Sequence, residues 1–200
     1  MAQTETKIEL DLEKVEDAGA RSHALSFPRT WLSDKIEAVL GSISVLLNLI
    51  WILLVLVIVV NVAMRYGLNV NYIWVEEMQW HMYAVGFMFG IGYAVIHDAH
   101  VRVDVVAAQF RPTTRAWIEF LTITLIILPM CWIIISYAIP FVEISHRRGE
   151  RSAAPAGLGN RWMIKSVIVL AFAYIALAAF ARLLRVCSYL FNFPRALTRD

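Results

Sequence analysis

Trp74-x-Glu76-Glu77 sets two adjacent carboxylates beside an indole at the start of an apolar stretch. Acids at a helix N-terminus interact favourably with its dipole, and tryptophan prefers a membrane interface. Successive helical residues point 100° apart, so Glu76 and Glu77 cannot both face the same neighbour. Glu77 and His81 stand four apart and can pair along one face, leaving Glu76 for another helix or a partner. His97-x-x-His100 has the form of half a metal site, but no matching carboxylate–histidine set occurs on another apolar run, and no metal is expected. Bis-histidine haem ligation needs histidines on two facing helices, and here one run holds both candidates, His81 and His97, about 24 Å apart by helical rise. Cys131 and Cys187 lie in or beside different apolar runs without a Cys-x-x-Cys, against a disulfide framework, a thiol-oxidising enzyme or a zinc site. No nucleophile elbow, Walker loop or zincin motif is present. No enzyme is indicated, and no cofactor.

The elements that must position these groups are membrane helices. The 200 residues are 60% apolar and 17% charged, with a mean hydropathy of +0.63. Soluble chains average about 45–50% apolar and about 25% charged, so lipid must be part of the solvent. A net charge of +2 leaves no nucleic-acid footprint. Uncharged windows run over Ala38–Met64, Met78–His97, Phe120–Val142 and Ser166–Ala181. The last is short, but Lys165 and Arg182 can snorkel to the headgroups and lengthen it. The fold expected is an all-α integral membrane protein of four transmembrane helices, about 38–64, 77–97, 117–142 and 162–184, within a membrane domain of 31–190. Residues 1–30 and 191–200 would be cytoplasmic tails, the first disordered. It mixes acids and bases without an apolar stretch, which speaks against a cleaved signal peptide. Flanking Lys and Arg number ten on the side of the termini and six on the other, placing both termini inside. The margin is narrowed by a basic outer loop holding Arg147, Arg148, Arg151 and Arg161. Residues 31–40 and 101–108 have amphipathic spacing suited to short helices on the cytoplasmic surface.

Within lipid, helices associate through small residues and polar pairing. Glu76, Gln79, Tyr83, Gly86, Gly90, Ala94 and His97 fall in one stripe about 80° wide on the second span. Thr122, Pro129, Ser136 and Glu143 recur at sevens on the third, where Pro129 should kink the helix. The fourth is alanine-rich from Ala171 to Ala181. Such stripes either hold a bundle together or face a second protein. No charged residue lies mid-span, where a proton-coupled or drug-extruding carrier keeps one. The chain reads as a helper.

Arg65-Tyr66 closing the first span, Trp74-x-Glu76-Glu77 opening the second, and that glycine-bearing helix running into His100-Val-Arg-Val-Asp104 form an ordered series. Over about residues 32–190 the series resembles the DctQ-type small membrane subunit of tripartite ATP-independent periplasmic (TRAP) transporters. Glu150-Arg-Ser and Gly157-Leu-Gly-Asn-Arg-Trp162 resemble a branch often linked to organic monocarboxylates. One departure is Val169-Leu-Ala-Phe172, where relatives often carry Pro-x-Gly-Phe. The resemblance implies a non-catalytic subunit of a sodium-coupled symporter for organic acids in the bacterial inner membrane. Its partners would be a large permease subunit, whose scaffold it braces, a periplasmic solute-binding protein, and membrane lipid. It implies a partner interface of Arg65, Tyr66, Trp74, Glu76, Glu77, Gln79, Tyr83, Gly86 and Gly90. His100, Arg102 and Asp104 would form a cytoplasmic motif. The rival reading is a self-sufficient small membrane carrier or the membrane anchor of a redox complex.

Overall fold

A computed structural model describes residues 27–96 and 110–195, and the described residues are helical apart from their connections. Helix α1 is Trp31–Gly67, α2 Ile73–Ile96, α3 Pro112–Thr122, α4 Leu128–Arg147 and α5 Trp162–Phe191, with a π-helical turn, Ile123–Ile127, joining α3 to α4. By length and composition, three of these helical stretches can cross a membrane: α1, the continuous 112–147 helix, and α5. Helix α2 has 24 residues but carries Glu76, Glu77, Gln79 and His81 in its first turns. The tail before 27, the 101–108 segment and the motif of His100, Arg102 and Asp104 lie outside the described residues.

Helix α1 starts at a reciprocal cap. The Thr30 hydroxyl accepts from the Ser33 amide at 3.3 Å while the Ser33 hydroxyl accepts from the Thr30 amide at 3.2 Å, which satisfies two orphan donors. From there 37 residues run without a break, about 55 Å at helical rise. Residues 31–40 are therefore not a separate surface helix, as their amphipathic spacing suggests, but the first turns of α1. Ile36 packs on the core, whereas Leu32 and Val39 are exposed. Among its described side chains, the buried positions of α1 are Ser33, Leu40, Leu47, Leu54 and Asn61. A strict seven-residue repeat of this kind keeps one seam on its neighbour. Between Leu49 and Val62 the exposed side chains of α1 are mostly Leu, Ile and Val.

The 112–147 helix carries a seam with a shifted register. Ala116 and Ile123 are buried seven apart, and so are Cys131, Ala138 and Ser145, but the step from Ile123 to Cys131 is eight. The π-turn supplies the extra residue: the Leu128 amide donates to the Ile123 carbonyl five residues back. Pro129 follows at once and has no amide to give, so the wider turn opens where the ladder would be interrupted. The proline thus acts as a register shift. The seven-spaced set Thr122, Pro129, Ser136 and Glu143 does not line the core; its last three members are exposed.

Helix α5 packs against every other described helical element. Ala171, Ala178, Ala179 and Ala181 are at most 1% exposed, so the alanine-rich stretch lets neighbouring backbones close in. Tyr174 is buried at its centre. Its ring meets Phe89 edge-on at 5.5 Å and its hydroxyl donates to the Leu40 carbonyl at 3.2 Å. This ties α1, α2 and α5 into one core.

The arginines of α5 bind the chain to itself. Arg185 reaches Glu37 at 2.5 Å, and Asp34 and the Ser33 hydroxyl at 3.2 Å each. Arg182 pairs with Glu119 of α3 and lies over the Phe27 ring. Lys165 at the other end pairs with Glu150. Snorkelling of Lys165 and Arg182 is thus replaced by internal ion pairs, and both side chains are about five-sixths buried. Lipid headgroups are an open-ended partner, whereas a carboxylate on a packed helix is already in place.

Candidate functional site

The residues singled out around Arg65 and Trp74 meet at the end of the bundle opposite the Arg182–Arg185 layer, beside the loop joining α4 to α5. Arg65 stands 3.9 Å from Glu76, with both side chains partly exposed. Tyr66 and Trp74 are exposed. Glu77 points the other way and is buried. It accepts from the Ser152 hydroxyl and from the Leu158 amide, the latter at 2.6 Å. Its pairing with His81 is not formed, because both carboxylate oxygens face the loop. The two acids do diverge, but Glu77 serves its own chain and Glu76 remains on the surface.

The loop is built around those bonds. The Ser152 amide donates to the Leu158 carbonyl, and the Arg161 amide to the Glu150 carbonyl, each at 3.1 Å. A tight turn closes with the Gly157 amide on the Ala154 carbonyl at 3.1 Å. Pro155 holds its second position, and Ala156 sits at φ 61°, a left-handed conformation costly for a residue with a Cβ. Gly157 is required by space: a Cβ there would come within 2.9 Å of both Ser152 and the Glu77 carboxylate. A second carboxylate anchors the loop base, where Glu150 accepts from the Ser145 hydroxyl at 2.6 Å and from the Lys165 ammonium.

These donors, Lys165 first and then Ser145, hold the Glu150 carboxyl below the usual carboxylate range. A depressed pKa adds stability above the unfolded value, about 4.3, and loses it as pH falls through the folded value. Glu150→Gln should therefore lower the thermal midpoint at neutral pH, and the gap from wild type should close in acid. Parallel melting curves from roughly pH 7 to pH 3 check this. Loss of the Glu77 clasp should show in proteolysis. In Glu77→Ala, trypsin should cut after Arg151 on the order of tenfold faster, because a half-buried amide and hydroxyl lose their acceptor and the loop opens.

The glycine stripe of α2 is divided between two tasks. Gly86 lies under Trp51, whose ring atoms would be 3.0 Å from an added Cβ, whereas nothing lies within 4 Å of one at Gly90. Tyr83 is exposed, stacked on Phe87 at 6.1 Å and edge-on to Trp51 at 5.9 Å. Gln79 keeps a buried amide nitrogen without a hydrogen-bond partner, as do the Asn61 carbonyl oxygen and His81 Nδ1. Gly92, outside the stripe, makes the closest approach of all: an added Cβ would overlap the Tyr174 ring. Among the described residues no three His, Cys, Asp or Glu side chains converge as a metal set.

A family model described as the DctQ component of tripartite ATP-independent periplasmic transporters matches residues 54–188, more than half of the chain. The chain belongs to the DctQ family. It is a small membrane subunit of a TRAP transporter. No curated protein and no solved structure matches it. The DctQ match covers Arg65, the Trp74–Glu77 segment, the clasped loop and nearly all of α5. It begins beyond Asp34 and Glu37, so the acidic half of the Arg185 cluster lies outside it. Sequence reasoning missed the clasp, although a signal was present: Glu77 diverges from Glu76, and Ser152 and Gly157 frame a short turn of alanines around Pro155. Gly92 had none, since its neighbour is 82 residues away in the chain.

Proposed function

We propose that this DctQ chain is the non-catalytic small permease subunit of a sodium-coupled TRAP transporter that imports an organic acid across the bacterial inner membrane. It crosses the bilayer four times with both termini cytoplasmic. Helix α2 spans as well and brings the number to four, its polar first turns shielded by α1, α5 and the clasped loop. The chain braces the scaffold of the large permease, and a periplasmic solute-binding protein docks on the same assembly. Arg65, Tyr66, Trp74, Glu76, Tyr83 and Gly90 form the outward interface, while Glu77 and Gly86 act from inside to hold it. His100, Arg102 and Asp104 lie on the cytoplasmic side.

One observation carries this reading. The DctQ match falls on a chain whose described charged side chains are gathered at the two ends of the bundle, with Leu, Ala and Tyr interlocked between them. Such a block is a wall rather than a path, and a moving permease domain needs a fixed wall to slide against. Expressed alone in vesicles, the chain should give no sodium-dependent uptake of an organic acid; uptake without the large subunit would defeat the proposal. Co-purification with the large subunit should weaken in Glu76→Gln with Tyr83→Ala, and in Gly90→Leu, which fills space that is open within this chain.

A further inference from the structure

We infer that the outward face of α4, centred on Trp132 and Ser136, is a docking seam for a transmembrane helix of the large permease subunit, one carrying hydroxyl or amide side chains. The inference rests on the proposed function, which supplies that partner, and adds a contact to the one proposed around α2. Pro129, Trp132, Ser136, Pro140 and Glu143 fall in a stripe about 80° wide on α4. All five are exposed. They lie nearly opposite the buried Cys131, Ala138 and Ser145, on the side away from α5.

Lipid alone does not account for this face. The outward side of α1 shows what hydrocarbon asks for: Ile52, Val55, Leu56 and Val59 are exposed and aliphatic. On α4, Trp132 is 73% exposed, yet it lies ten residues from Val142 and twelve from Phe120, the ends of the uncharged window. About 15 Å of helix thus separates it from the nearer end. Tryptophan belongs at the headgroups or in a protein contact, where its large ring is a frequent anchor. Its indole N–H meets no acceptor among the described residues. One turn on, Pro140 follows Ser136 by four and has no amide to return to the Ser136 carbonyl. The Ser136 hydroxyl is spent as well, donated to the Trp132 carbonyl at 2.8 Å. A donor and an acceptor therefore stand on one face at a depth where lipid tails satisfy neither. A helix with hydroxyl or amide side chains satisfies both. A second copy of this chain fits less well. The Trp132 ring leans toward the N-terminal end of its helix, away from Ser136, so a twofold mate at the same depth keeps its indole off that carbonyl.

The test uses the small and large subunits together in nanodiscs. With photoreactive benzoylphenylalanine in place of Trp132, irradiation should yield an adduct with the large subunit, whereas the same probe in place of Ile52 should label lipid. Trp132→Leu suits hydrocarbon at least as well as the wild type. It should keep the melting temperature of the isolated subunit but weaken association on the order of tenfold in a two-colour fluorescence titration. Pro140→Ala restores the missing amide and should melt no lower, yet loosen the complex several-fold. Adducts from position 132 with a second copy of this chain, or with lipid alone, overturn the inference while the two subunits still co-purify. So does a Trp132→Leu chain that associates as tightly as wild type. Failure of the two subunits to co-purify at all removes the proposed function itself, which keeps the two failures apart.

Discussion

Gly92→Ala should lower the melting temperature of the isolated subunit by roughly 4–8 °C, from a net loss of about 2 kcal/mol. Two effects compete. Alanine is the better helix residue by about 1 kcal/mol, which favours the variant. Against this, the new methyl overlaps the Tyr174 ring, with Ile175 a further 3.4 Å neighbour. Tyr174 is 4% exposed, meets Phe89 edge-on and is bonded to the Leu40 carbonyl, so its ring has no room to withdraw. Overpacking of a held site costs about 1–3 kcal/mol and sometimes more, and it wins. Gly90→Ala is the internal control. With no atom within 4 Å, it should leave the midpoint unchanged or raise it by a few degrees through propensity alone. Equal losses at both positions would mean that backbone flexibility, not contact with Tyr174, is what Gly92 provides.

Glu119→Gln should be comparably damaging or worse, at about 2–4 kcal/mol, since removing one partner of a mostly buried pair strands the other charge. Arg182 and Glu119 are 15% and 14% exposed, and Arg182 also lies over Phe27. The pair joins α5 to α3 close to the buried cluster of Phe27, Ala116 and Val186. A drop on the order of 10 °C is expected, read by thermal unfolding in detergent. The double replacement Arg182→Met with Glu119→Leu should cost less than the sum of its single losses, because no uncompensated charge remains. Additive losses would reduce the pair to two unrelated surface contacts.

Much of the molecule was legible along the chain. Long uncharged windows specify membrane helices because lipid offers backbone groups no partner, and only regular helices satisfy their own. The DctQ-like order of Arg65, Trp74-x-Glu76-Glu77 and the glycine-bearing helix pointed to the family, and the match over residues 54–188 shows it. The separation of Glu76 from Glu77 also followed from helical geometry alone. The third apolar run was harder to read. Its regular polar stripe, Thr122 to Glu143, catches the eye at sevens, yet the buried seam slips by one residue at the π-turn and so shows no unbroken period.

What the sequence determined by itself is therefore the class of protein, since hydrophobic length and periodic spacing are local properties summed along a segment. Which side chains are spent internally was decided only in three dimensions. Glu77 meets Ser152 and Leu158, Gly92 meets Tyr174, and Arg182 meets Glu119 across 63 to 82 residues of chain. Those meetings depend on how helices rotate about their own axes once packed. A rotation of 100° separates Glu77, which seals a loop, from Glu76, which faces outward, and no single helix carries the information that sets it.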